Sequence, residues 1–125
     1  MKTSKFTFLL LFLALFYPLE NALSASSTQC GGAPGEFHIN PDHSIGGYVA
    51  YSAFVMPTVT VASGAMVCDL AEVYDSVQIL DTAKVGGHSN IIDSAVIKNS
   101  AKVFGNASIS GSASIEGTTH IYGNA

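Results

Sequence analysis

The chain has 125 residues, enough for one domain, with 5 basic and 9 acidic residues and a net charge of −4 at pH 7. This acidic balance disfavours partners that are themselves polyanions, namely nucleic acids and anionic membrane surfaces. Composition therefore narrows the classes of partner but identifies none.

Residues 1–24 have the features of a secretory signal peptide. After a basic start, the apolar run Phe6–Tyr17 is shorter than the about 20 residues that a membrane-spanning helix needs. Ala22-Leu23-Ser24 is a small-x-small motif, so we expect cleavage after Ser24 or one residue later. The sequence thus predicts a secreted or periplasmic protein that has no membrane segment after cleavage.

Residues 25–46 are predicted to be a lead-in and N-terminal cap. Cys30–Gly35 is too rich in Gly and Pro for regular structure. Glu36–Ile39 is predicted to form a short strand that covers the first coil, because an open coil exposes apolar interior and unpaired backbone. Phe37 and Ile39 are the side chains expected to plug that interior.

Residues 47–125 form an array of six-residue blocks, of which GYVAYS and AFVMPT are the first two. The first place of a block is mostly a small residue, and from Ala65 onward the fifth place is always Asp, Asn or Gly. The third place of every complete block is Val or Ile: Val49, Val55, Val61, Val67, Val73, Ile79, Val85, Ile91, Ile97, Val103, Ile109, Ile115 and Ile121.

This pattern predicts an all-β solenoid. Buried first and third places alternate with outward second and fourth places, which is the period of a β-strand. The fifth and sixth places carry residues that favour turns. A strand this short buries its face only by stacking on other coils. Three blocks to a triangular coil give about four coils, with residues eighteen positions apart stacked on one another.

The blocks AKVFGN and ASISGS and the opening Gly46-Gly47-Tyr48-Val49 resemble the hexapeptide-repeat, left-handed parallel β-helix proteins, in particular a subgroup often labelled as acyltransferases. The resemblance covers residues 46–125 and implies a left-handed coil. A right-handed β-solenoid of the bactofilin kind is the alternative fold. The family usually closes its coil with a C-terminal cap, and this sequence stops at Ala125 inside the repeat. We therefore expect either a truncated chain or an end that another chain covers.

The resemblance also indicates which features a catalytic site of this family would have. The family's acyltransferases use a His between the subunits of a trimer, usually beside a loop that interrupts the array. Here His88 falls at a corner and His120 on an outward place, the array is uninterrupted, and no carboxylate is placed to orient either ring. We predict no catalytic residue, no cofactor and no metal site; His38, Asp42 and His43 lie in a segment too irregular to form a metal cage.

Two outward features remain. Cys30 and Cys68 are the only cysteines, and in an exported chain they are candidates for a disulfide that ties the lead-in to the second coil. Outward apolar rows are candidates for an interface. These are Met56, Tyr74 and Ile92 on one side, and Phe104 and Tyr122 on another, near Tyr48 and Met66.

The acidic corner residues allow two interpretations. Asp75 stacks with Asp93, and Asp81 with Asn99, so a cation such as calcium is conceivable. The simpler interpretation is that each side chain forms hydrogen bonds with backbone at the turn.

Together these features predict a non-catalytic, exported scaffold, surface-binding or self-associating module. Self-association would give either a trimer, which is the usual oligomer of the family that the sequence resembles, or an end-to-end assembly. The alternative is an acyltransferase-like enzyme that is active only as a trimer, in a truncated and inactive form if the chain is a fragment.

Overall fold

The computed structural model describes residues 29–125, so the predicted signal peptide over residues 1–24 lies outside the described part. A short 3-10 turn at Gln29–Gly32 is followed by β1 (Gly35–Ile39) and β2 (Ile45–Ala50). Two-residue strands then recur at each block: β3 Phe54–Val55, β4 Thr60–Val61, β5 Met66–Val67, β6 Glu72–Val73, β7 Gln78–Ile79, β8 Lys84–Val85, β9 Asn90–Ile91, β10 Val96–Ile97, β11 Lys102–Val103, β12 Ser108–Ile109, β13 Ser114–Ile115 and β14 His120–Ile121.

The strands form three sheets along the sides of a solenoid. Sheet A has the order β1-β2-β5-β8-β11-β14, sheet B has β12-β9-β6-β3, and sheet C has β13-β10-β7-β4. Strands from successive coils pair in parallel, for example Val49 with Val67 and Val61 with Ile79. The prediction of an all-β parallel solenoid of about four turns is confirmed.

The interior contains the first and third places of the blocks. Burying one Val or Ile side chain contributes about 1.5–3 kcal/mol, so coils that stack in register stabilise one another. The places that are at most 2% exposed are Val59, Val61, Ala65, Val67, Ala71, Val73, Val77, Ile79, Ala83, Val85, Ser89, Ile91, Ala95, Ile97, Ala101, Val103 and Ala107. The one polar member, Ser89, donates its hydroxyl proton to the Gly86 carbonyl at 2.8 Å.

The corners explain the residue types of the fifth place. From Asp69 onward each fifth-place residue has φ between 56 and 74°, the left-handed region that Gly, Asn and Asp tolerate. These residues are Asp69, Asp75, Asp81, Gly87, Asp93, Asn99, Gly105, Gly111, Gly117 and Gly123. The turn residues inferred from the repeat therefore occupy the backbone conformation that suits them.

The N-terminal edge of sheet A is covered by β1, which pairs antiparallel with β2. Register places Phe37 opposite Tyr48 on the outer side of sheet A, where the two rings meet edge to face at 5.8 Å between centroids. Ile39 lies opposite Ile45 and is 54% exposed. The expectation that Phe37 and Ile39 plug the first coil is therefore wrong, because the register turns Phe37 outward and leaves Ile39 at the rim.

Candidate functional site

The first coil is capped by two polar side chains of the lead-in. Asn40 Nδ2 donates to the Val61 carbonyl at 3.1 Å, and the Val61 amide donates back to Asn40 Oδ1 at 2.8 Å. His38 Nε2 lies 2.7 Å from the Val59 carbonyl, an acceptor that requires the proton on Nε2. These contacts satisfy the edge of sheet C at β4, the last strand of that sheet. Neither residue was identified as a cap from the sequence, since isolated polar residues before an array carry no periodic signal.

Asn40 also fits closely against the glycine pair that opens the array. A Cβ on Gly46 would come within 2.2 Å of the Val61 carbonyl oxygen and 2.9 Å of Asn40 Nδ2. Only glycine allows this approach of the two backbones. The close backbone packing where the lead-in meets the first coil therefore explains the motif Gly46-Gly47.

The structure brings Cys30 and Cys68 together in a disulfide, with an S–S distance of 1.99 Å. The bond holds the turn at Gln29–Gly32 against sheet A. Beneath this turn Tyr48 is 1% exposed, and its hydroxyl donates to the Ala33 carbonyl at 2.7 Å. Burial raises the pKa of the Tyr48 phenol above its ordinary value. Tyr48 is therefore buried. It does not belong to the outward row of Phe104 and Tyr122, near which the sequence analysis placed it.

The outer side of sheet B carries the row Met56, Tyr74 and Ile92, in which each residue is half-buried. Phe54 joins this row: its ring centroid lies 5.3 Å from that of Tyr74, and Phe54 is 50% exposed. The Tyr74 hydroxyl donates to Glu72, and this bond raises the pKa of Tyr74. The row is therefore a fixed surface with apolar rings and one anchored hydroxyl.

The outer side of sheet A carries the second row. Phe104 and Tyr122 stack with centroids 6.0 Å apart, and His120 meets Tyr122 edge to face at 5.7 Å. Below them Gly86 leaves room for the Phe104 ring, since a Cβ there would come within 2.7 Å of it. A hollow of about 350 Å³ separates Phe104 from the disulfide.

The corner carboxylates have backbone partners. Asp81 Oδ2 accepts hydrogen bonds from the Asn99 amide at 2.9 Å and from Asn99 Nδ2 at 3.1 Å. Asp69 Oδ2 accepts from the Gly87 amide at 2.8 Å, and Asp93 Oδ2 accepts from the Gly111 amide at 2.8 Å. Each side chain thus links its corner to the corner one coil later. These contacts agree with the hydrogen-bonding interpretation, with the partner on the next coil instead of the same turn.

The histidines do not converge on a site. His88 lies at a corner, and the one hydrogen-bond partner of the His120 ring within residues 29–125 is the Tyr122 hydroxyl at 3.4 Å. Asp42 accepts from the Ser44 hydroxyl and amide, which lowers the pKa of its carboxyl, while His38 is engaged with Val59. In the described part of the chain no group of three or more His, Cys, Asp or Glu side chains is close enough to hold a metal ion.

A groove of about 510 Å³ opens at the N-terminal end of the solenoid. Its floor is formed by the interior residues Val49, Ala53 and Val55, which stay half-buried, whereas Val67 and Val73 one coil later are fully buried. The groove is also lined by four large side chains that are among the most exposed apolar residues. The exposed fractions are 54% for Ile39, 59% for Ile45, 61% for Tyr51 and 50% for Phe54.

Comparisons of the chain with protein-family models, with curated proteins and with solved structures gave no match. Among the described residues no helix has the length and apolar character needed to cross a membrane.

Proposed function

We propose that the protein is an exported, non-catalytic β-solenoid that acts as a scaffold, a surface-binding module or a self-associating module. The observation that carries this proposal is the aromatic row on sheet B, where the ring centroids of Phe54 and Tyr74 lie 5.3 Å apart. Rigid aromatic side chains lose little conformational entropy when they become buried in a contact. The row therefore suits contact with another molecule better than an arrangement of mobile side chains would.

The proposal includes a left-handed coil and kinship with the hexapeptide-repeat proteins. Its support is the regular coil of three six-residue sides and the repeated small-x-Val/Ile pattern of residues 47–124. A right-handed solenoid of the bactofilin kind is the alternative. An experimental structure at a resolution that resolves the chain path would decide between them.

The test of the function is a change of charge within the row. The Tyr74→Lys variant places an ammonium group where the row has an aromatic ring, so we expect its assembly at a given concentration to weaken by about tenfold or more. Gln78→Lys is the matched control, because Gln78 is exposed on sheet C and away from the row. The solution mass of both variants is measured by sedimentation. Equal masses for wild type and Tyr74→Lys would contradict the proposed role of the row.

The alternative function, an acyltransferase-like enzyme active as a trimer, makes a different prediction. It requires acyl-CoA binding, which isothermal titration calorimetry measures directly. Binding that depends on His88 or His120 would overturn the non-catalytic proposal.

A further inference from the structure

We infer that two copies of this chain pair through their N-terminal ends, with β1 of one copy antiparallel to β1 of the other across a two-fold axis. The inference rests on the proposed self-association and adds to it a second surface, distinct from the aromatic row of sheet B, with a second copy of the chain as the partner. It is carried by the free edge of β1, the groove beside that edge and the small charge of the groove lining.

The first step concerns the backbone of β1. The Tyr51 amide donates to the Pro34 carbonyl at 2.9 Å, which makes this position a hydrogen-bonded pair of the antiparallel β1–β2 ladder. Such pairs recur at every second residue, so Gly35 and Phe37 direct their N–H and C=O groups away from β2. Among the described residues β1 is the last strand of sheet A on this side. Gly35 is buried and the register shifts between Phe37 and Ile39, so the accessible part of this edge is the short stretch around Phe37.

The second step concerns what kind of strand can dock there. Head-to-tail stacking of a second solenoid would require the N-terminal edges of β2, β3 and β4 for its own coil. Two of these three edges are occupied, that of β2 by β1 and that of β4 by Asn40 and His38. The lead-in thus blocks extension of the solenoid by a further coil, and leaves an edge that fits a single antiparallel strand.

The third step identifies that strand as β1 of a second copy. An antiparallel pair of identical edges is self-complementary across a two-fold axis, and each copy satisfies the other's donors and acceptors. The same operation sets the two grooves face to face and covers Ile39, Ile45 and Tyr51 of both copies. A lone peptide strand would pair with the edge but would bring no second groove to cover these side chains.

Charge supports contact between like copies at this end. The chain carries a net charge of −4, so two copies repel in general. Among the residues that line the groove, Glu36 is the one acidic residue, and none is Lys or Arg. The outer sides carry more charge, with Lys84 and Lys102 on sheet A and Glu72 on sheet B. Approach through the N-terminal ends thus brings few charges together.

The experiment compares Ile45→Glu with Leu70→Glu. Ile45 is 59% exposed at the groove, and Leu70 is 49% exposed at a corner of the second coil, so neither change disturbs the core. We expect wild type and Leu70→Glu to associate equally, and Ile45→Glu to associate at least roughly tenfold more weakly, because the two-fold axis would bring two carboxylates into an apolar contact. A wild-type mass of two chains that Ile45→Glu leaves unchanged would overturn the inference.

Amide hydrogen exchange provides a second measurement of the same contact. Pairing of the β1 edges predicts slower exchange of the Phe37 amide at high protein concentration than at low concentration. The Ile97 amide is the internal control, because Ile97 is fully buried and its strand already has a neighbour on each side. Its exchange should not depend on concentration.

The outcomes separate this inference from the function on which it rests. A wild-type chain that is monomeric at every concentration contradicts the pair and the self-associating form of the proposed function, and leaves the scaffold and surface-binding forms standing. Assembly that responds to Tyr74→Lys but not to Ile45→Glu contradicts the N-terminal pair and leaves the proposed function standing. Loss of the two-chain species in Ile45→Glu, together with concentration-dependent protection of the Phe37 amide, supports the pair.

Discussion

Asn40 forms two hydrogen bonds with the backbone of one residue, Val61, and so takes the place of a neighbouring strand at the edge of sheet C. Asn40 is 8% exposed and Val61 is fully buried. Without Asn40, water would therefore not readily reach the N–H or the C=O group of Val61. One amide side chain thus satisfies a donor and an acceptor that the first coil would otherwise leave unpaired.

We predict that Asn40→Ala destabilises the protein by about 2–4 kcal/mol, because it leaves two buried backbone groups without a partner. The measurement is the free energy of unfolding from urea titration. Asn90→Ala is the control, since Asn90 is exposed on the outer side of sheet B. Equal effects of the two substitutions would show that Asn40 has no special role as a cap.

The disulfide predicts a dependence of stability on redox conditions. Cys30 and Cys68 are separated by 38 residues, and closing a loop of that length contributes about 3–4 kcal/mol in the chain-entropy model. Reduction should lower the free energy of unfolding by this amount and expose the Tyr48 ring to solvent. The Cys30→Ala/Cys68→Ala variant should match the reduced protein and show no response to reductant. A reduced protein as stable as the oxidised one would contradict this prediction.

Gly87 and Gly111 form a matched pair at the corners. Both have positive φ, 65° and 67°, but a Cβ on Gly87 would come within 2.6 Å of the Gly105 amide nitrogen, while a Cβ on Gly111 would meet nothing within 4 Å. Gly111→Ala should cost about 1–2 kcal/mol for the left-handed backbone alone. Gly87→Ala should cost at least about 1–3 kcal/mol more, because the next coil has to move. Thermal unfolding of the two variants is the measurement, and equal losses would contradict the observed stacking of the corners.

Tyr48 predicts a loss of stability at alkaline pH. Its pKa is raised above the ordinary value of 10.0 because the ring is buried. As the pH rises past 10.0, the unfolded chain loses the phenolic proton before the folded chain does, so the free energy of unfolding falls until the pH passes the folded-state pKa. Tyr48→Phe should reduce this slope, because the variant has no phenolic proton to lose at this position. The measurement is urea unfolding on both sides of pH 10.0, and an unchanged slope in Tyr48→Phe would contradict the prediction.

The repeat could be predicted from the sequence because every block requires the same residue types at the same places. Val or Ile in the third place, and Asp, Asn or Gly in the fifth, predicted the buried column and the turns at the corners. The lead-in could not be predicted in the same way. When the register of an antiparallel strand shifts by one residue, every side chain moves to the opposite face of the sheet. The sequence does not specify this register, so Phe37 was assigned to the interior, whereas it packs on Tyr48 on the outer side. The caps Asn40 and His38 depend on contacts with residues 21 positions away, which no local pattern encodes.

The central proposal is that the protein acts through self-association, and the solution mass of the oxidised protein tests it most directly. Sedimentation equilibrium over a wide range of concentrations should show a mass that rises from that of one chain to that of two or more. A mass of one chain at every concentration would contradict the account.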